Sequence, residues 1–275
     1  MIPSTRPQGG FTLVEAIIVI AITGIIAAVV AVFIRSPIQG YFDMEARVEL
    51  SDTADTALRR IGRDLRLALP NSVRVTGATA TGNKLMEFLQ TRTGGRYRSE
   101  VTGIVGAPGA PLQPGVASAT TFDVLGDMTL GGTLSLPAAG EQVVVYNLGI
   151  AGANAYNGDN RATIASATAN SITLTAAKLF PLDSPAHRFQ VVDTPVSYYC
   201  NTAAGTLTRH SGYAIQSVQP NPPAGGVVIA QDISDCTFTY DTINERYGLV
   251  SMRIVLSRNN ETVSLYHEVH ISNVP

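Results

Sequence analysis

Few residues in this chain have types and spacing that could do chemistry, and the first is Glu15. It is the single acidic residue in the 24-residue run from Phe11 to Ile34, which holds no Lys, Arg or Asp. A carboxylate inside so apolar a run is costly unless a cation answers it. A cut after Gly10 would supply one, the new α-amine of Phe11, exposed at the same depth. Next come Cys200 and Cys236, the only cysteines. Outside the reducing cytosol a disulfide between them is expected, against the alternative of two unrelated buried thiols. The nearest approach to a metal cluster is His267-Glu268-Val269-His270. A zinc-protease pair needs histidines four apart on one helical face. These are three apart in an expected strand, which sends them to opposite faces, so no metal is expected. Asp159 with Asn157 and Asn160 offers too few oxygens for Ca²⁺, and a plain turn is the expectation. No Gly-x-x-x-x-Gly-Lys loop and no Gly-x-Ser-x-Gly elbow occurs. The chain is therefore not expected to be an enzyme or to hold a cofactor.

The elements that must position these residues follow from periodicity. At about 1.5 Å per residue, residues 11–34 make a helix of roughly 36 Å, enough to cross a hydrocarbon layer of ~30 Å. Phe33-Ile34-Arg35-Ser36-Pro37 offers no small-x-small cleavage site, which argues against simple secretion. An uncleaved anchor fits the hydropathy equally well. Arg6 and the start amine, set against Arg35, place Met1 weakly in the cytoplasm. Pro37 and Gly40 are expected to interrupt or kink the helix. A second helix is expected over 41–69, stopped by Pro70-Asn71. Leu50, Ala54, Ala57, Leu58, Ile61, Leu65 and Ala68 share one side of it. Glu45, Glu49, Asp52, Thr56, Arg59, Arg63 and Arg66 lie opposite, acidic first and basic last. The helix macrodipole explains that order most simply. The other reading is a staggered stack, with the acidic half of one subunit facing the basic half of another.

From Val73 onward, period-two runs separated by Gly, Asn, Asp and Pro predict strands over 84–89, 121–125, 142–147, 171–175, 187–192, 196–200, 205–209, 227–231, 236–240, 249–256 and 262–271. Arg258-Asn259-Asn260-Glu261 reads as a hairpin turn. Long loops are expected over 91–140, 154–160 and 220–226. The fold class is α+β, a mainly antiparallel sheet on the apolar side of the second helix. A net charge of −2 gives no footprint for nucleic acid.

Gly9-Gly10-Phe11-Thr12-Leu13-Val14-Glu15, opening an apolar helix, resembles the prepilin signature of type IV pilins and type II secretion pseudopilins. The resemblance implies that a prepilin peptidase cuts after Gly10 and methylates the new terminus, Phe11. It also implies that Glu15 is the carboxylate that meets a neighbouring subunit's amine during assembly. Val196-Ser197-Tyr198-Tyr199-Cys200, Gly205-Thr206-Leu207-Thr208-Arg209 and Asp235-Cys236-Thr237-Phe238-Thr239-Tyr240-Asp241 resemble the large J-type pseudopilins and their type IV minor-pilin counterparts. The ending, Glu268 to Pro275, is similar to a subunit of the mannose-sensitive haemagglutinin (MSHA) pilus system. These likenesses imply a pilin-like layout: a cleaved leader (1–10), a transmembrane helix (11–34), an amphipathic stem (35–70) and a periplasmic β-rich head (71–275). Implied partners are the prepilin peptidase, the inner membrane, and other minor and major pilins met through the N-terminal helix. A type II secretion pseudopilin and a surface adhesin using the loops at 91–140 or 154–160 remain open. An anchored periplasmic enzyme is disfavoured for want of a catalytic constellation.

Overall fold

The computed structural model describes residues 10–76, 84–105, 109–126, 128–130, 133–221, 223, 225–240 and 247–275. Of the expected leader, only Gly10 falls among them. The chain divides into two compact units, residues 1–49 and 50–275. One helix, α1 (Leu13–Leu65), continues through positions 37 and 40, which do not interrupt it as expected. A proline removes one backbone bond locally. The apolar run before it and the amphipathic run after it both keep helical periodicity, so the ladder resumes.

In the first unit the apolar window of α1 has no cover from the chain, and none of it is buried. In the second unit the expected apolar side of the stem is buried throughout: Leu50, Ala54, Ala57, Leu58, Ile61, Leu65 and Ala68. The helix ends at Leu65 rather than Leu69. Residues 67–69 turn away to pair with β2 (Lys84–Tyr97). Leu69 N–H donates to the Leu89 carbonyl, and Thr91 N–H donates to the Leu67 carbonyl, each at 2.7 Å. Leu69 precedes Pro70 and so disfavours the α region. The exposed edge of β2 supplies the partners that its backbone then needs.

The head is organised around β2 and β9 (Arg188–Asn201), two antiparallel strands of 14 residues. Their near halves, 84–89 and 195–200, sit in a sheet with β1 (Arg74–Thr76), β10 (Thr206–His210) and β11 (Gly226–Ala230). A separate sheet of β12 (Ile233–Thr239), β13 (Leu249–Arg258) and β14 (Glu261–His270) completes the layer. Met86, Phe88, Val196 and Tyr198 from the first sheet meet Phe238, Met252 and Ile254 from the second around the stem residues Leu58, Ile61 and Leu65.

The far halves of β2 and β9 belong to a different structure. β2 pairs with β3 (Ala119–Leu125), β3 with β8 (Ser171–Lys178), and β8 with β7 (Arg161–Thr168). Then β7 pairs with β6 (Gln142–Val145) and β6 with β9, which returns to β2. Six antiparallel strands thus close into a ring with its own core, including Tyr97, Phe122, Ile164, Phe180, Phe189 and Val191. A two-stranded piece, β4 (Thr129–Leu130) with β5 (Thr133–Leu134), lies in the β3–β6 connection.

The change of core is visible in the parity of β9. Val196, Tyr198 and Cys200 enter the stem core, whereas Phe189 and Val191 enter the ring. Side chains alternate faces along a regular strand, and an extra residue exchanges the faces that odd and even positions take. The register of β2 against β9 shifts at Leu89/Thr91 and again at Thr91/Thr93. Pro195 stands opposite Leu89, at the first shift, where a residue without N–H is tolerated. The two strands expected on either side of Pro195 are therefore one. Residues 91–97, expected in a loop, continue β2. Strand β7 went unpredicted because, in Arg-Ala-Thr-Ile-Ala-Ser-Ala-Thr, only Ile164 is fully buried, leaving no period-two apolar signal. The 258–261 hairpin stands as expected, with Asn259 and Asn260 at φ 52° and 67° between paired Arg258 and Glu261.

Ile61→Ala removes a fully buried side chain between stem and sheets and should lower unfolding free energy by about 2–5 kcal/mol. Thr56→Ala, on the exposed side, should change it by no more than ~0.5 kcal/mol. Urea titration of the detergent-solubilised chain, followed by near-UV circular dichroism, measures both.

Candidate functional site

Gly10, Phe11 and Thr12 are exposed and non-helical, and α1 begins at Leu13. The Gly10–Phe11 peptide bond is thus in open backbone, the form a protease needs. Thr12 caps the helix: Glu15 N–H donates to Thr12 Oγ1 at 3.3 Å, and Ala16 N–H to the Thr12 carbonyl at 3.1 Å. Thr12-Leu13-Val14-Glu15 has the Thr-x-x-Glu spacing of a capping box. That second role for the motif was legible in the sequence and was not foreseen. Glu15 itself lies exposed in the first turn, at the positive end of the helix dipole. Its side chain is therefore placed to favour the helix start.

In the head, Cys200 and Cys236 form a disulfide, Cα atoms 6.4 Å apart and both fully buried. The bridge ties β9 to β12, and so one sheet to the other around the stem. The alternative of unrelated thiols is set aside. His267 and His270 point to opposite faces of β14, His267 half-buried and His270 exposed. Among the described residues, no group of three His, Cys, Asp or Glu could hold a metal ion. Residues 154–160 form the expected turn. Asp159 accepts from the Asn154 N–H at 3.2 Å, and the Asn154 side chain accepts from the Tyr156 N–H at 2.9 Å. Lys178 donates to the Gly158 carbonyl at 2.8 Å, so a cation already borders this turn.

Two buried polar clusters had no sequence signal, because their members come from distant segments. Asp64, on the stem, accepts from Tyr198 Oη and from Arg209 Nε, each at 2.7 Å. Burial first, and then this bond to Asp64, pushes the Tyr198 phenol well above its ordinary range, so it stays a donor. Burial alone would lower Arg209, but the Asp64 bond and charge outweigh it and the guanidinium holds its proton more firmly. Glu87, fully buried, accepts from Arg74 at 2.6 and 3.0 Å and from Tyr213 Oη at 3.0 Å. Arg74 also donates to the carbonyls of Gln216 and Ser217 and stacks 3.7 Å over the Tyr156 ring. The cluster fastens the β10–β11 connection to β1 and β2. Every member has a structural partner, and the clusters position the fold rather than offer reactive groups.

Replacing Cys200 and Cys236 together by Ser should lower stability by about 4 kcal/mol on the chain-entropy model for this loop. Mass analysis after alkylation without reductant should find no free thiol in the native chain. Glu87→Ala, which leaves the buried end of Arg74 unanswered, should cost about 3–5 kcal/mol in the same unfolding assay.

Residues 5–31 match the family described as the prokaryotic N-terminal methylation motif. No curated protein and no solved structure matches the chain. The matched segment contains the open Gly10–Phe11 bond, the capped helix start and Glu15. The chain therefore carries a type IV prepilin-like motif, which implies processing by a prepilin peptidase and assembly with pilins.

Proposed function

We propose that the chain is a minor pilin of a type IV pilus, most like the O component of the MSHA system, and that it has no catalysis or cofactor of its own. The observation that carries the reading is the methylation motif on an exposed, membrane-length apolar helix joined to a β-rich head. In this reading the leader is residues 1–10, cut after Gly10, and Phe11 becomes the N-methylated terminus. The helix over 11–34 anchors the chain in the inner membrane, and the stem and head (35–70 and 71–275) stand in the periplasm. The disulfide is in keeping with that oxidising compartment. Glu15 neutralises the Phe11 amine of a neighbouring subunit and fixes register where Val and Ile side chains discriminate poorly. Partners are the peptidase and other minor and major pilins, met helix to helix in a priming or tip complex. Resemblance in the C-terminal half supports the minor-pilin assignment and supports a type II secretion J-like pseudopilin almost as well.

A second reading, an adhesin working through head loops, is favoured by one feature. The six-stranded ring has a core that includes no stem residue, so its loops can vary without disturbing the stem.

Co-expression with a prepilin peptidase, followed by N-terminal mass analysis, should give a chain beginning at methylated Phe11. Any other terminus would count heavily against the proposal. Glu15→Ala and Glu15→Gln should both still be cut, while incorporation into the complex falls in both. Gln keeps the capping-box chemistry and loses only the charge. Normal incorporation of Glu15→Gln would show that the helix cap, and not the ion pair, is what assembly uses.

A further inference from the structure

The exposed side of α1, with the residue just past its end, carries two charge triads with one spacing. Glu45, Glu49 and Asp52 are separated by four and three residues, and so are Arg59, Arg63 and Arg66. All six are exposed. The offset between matching members is 14 residues, about four turns of helix. The macrodipole accounts for Arg63, in the last turn, and for Arg66 just past it, but its effect fades before Arg59 and Arg60. Arg59 is paired with Asp55 at 2.6 Å across the helix surface. Together with Asp55, Gly62 and His267, the basic triad lines an open groove of about 670 Å³ between the stem and β14. Gly62 keeps this groove narrow at its base: a Cβ there would stand 3.2 Å from Val269 Cγ2 and 3.3 Å from His267 Nε2.

We infer that this groove is the docking surface for the acidic stem segment, residues 45–52, of a second copy of this chain, lying parallel and displaced by 14 residues. Glu45 of the copy then meets Arg59, Glu49 meets Arg63 and Asp52 meets Arg66. Three pairs form in one register, whereas a displacement of zero sets like charges against each other. The inference rests on the assembly role proposed above and adds a second contact, to a copy other than the neighbour whose amine meets Glu15, because a displacement of 14 residues leaves that copy's Phe11 about 15 Å along the axis from Glu15.

The test uses the full chain in inner-membrane vesicles with the peptidase present. Two differently tagged forms are co-expressed, one with Asp52→Cys and one with Arg66→Cys. The native cysteines are already bridged, so the introduced thiols alone react. Mild oxidation should give the mixed D52C–R66C product in at least about twofold excess over either like-with-like product, the low end for the two exposed ion pairs that the cysteines leave in place. Arg63→Glu in the R66C chain should reduce the mixed product, and Glu49→Arg in the D52C chain should restore it. Like-with-like products in excess, no product at all, or reversal without rescue would each overturn the register. N-terminal mass analysis of the same vesicles separates the two levels. An uncut chain that still gives the mixed product refutes the pilin reading and keeps the contact. A cut chain lacking that product keeps the reading and refutes the contact.

Discussion

The head depends on the antiparallel pairing of β2 with β9. Each strand is 14 residues long, and each serves two cores, with even-numbered side chains in one and odd-numbered ones in the other. In a regular pair these two sets would lie on opposite sides of the sheet. The register shifts at Leu89/Thr91 and Thr91/Thr93 put one extra residue in each strand and so exchange the two sides midway. At that point the chain needs backbone partners, and the turned-out residues 67–69 supply them. The end of the stem helix, the bulged strands and the place of Pro195 are therefore one arrangement.

Around this pair, polar ties join segments that are far apart in the chain. Asp64 holds the stem to β9 and β10, Glu87 and Arg74 hold the β10–β11 connection, and the disulfide holds the two sheets together. Buried charges of this kind add little net stability over apolar substitutes, but each is costly to leave unpaired. That cost disfavours any packing of the stem and sheets that would separate these partners.

In the first unit the apolar window of the helix is not buried, and Glu15 lies exposed at the capped start. An uncovered apolar helix of this length is consistent with single-pass anchoring in a membrane.

What the sequence determined by itself was whatever depends on near neighbours. The apolar run, the motif from Gly10 to Glu15, the buried stripe of the stem and the Asn259-Asn260 turn are all set within a few residues, where periodicity and turn chemistry act. The fold class was legible for the same reason, as was the opposite facing of His267 and His270. The tertiary structure alone decided the rest. Nothing local marks residues 91–97 as strand: Gly94 and Gly95 argue against it, yet their bareness lets Phe189 of β9 come close. Nothing local gives β7 a face, since Ile164 is its one fully buried side chain and only Ala162 and Ala167 join it against the ring core. Asp64 meets partners 134 and 145 positions away, and Glu87 meets Tyr213 at 126. Such pairings are settled by which long strands lie side by side, and that outcome is decided by burying two cores at once rather than by any stretch of residues read alone.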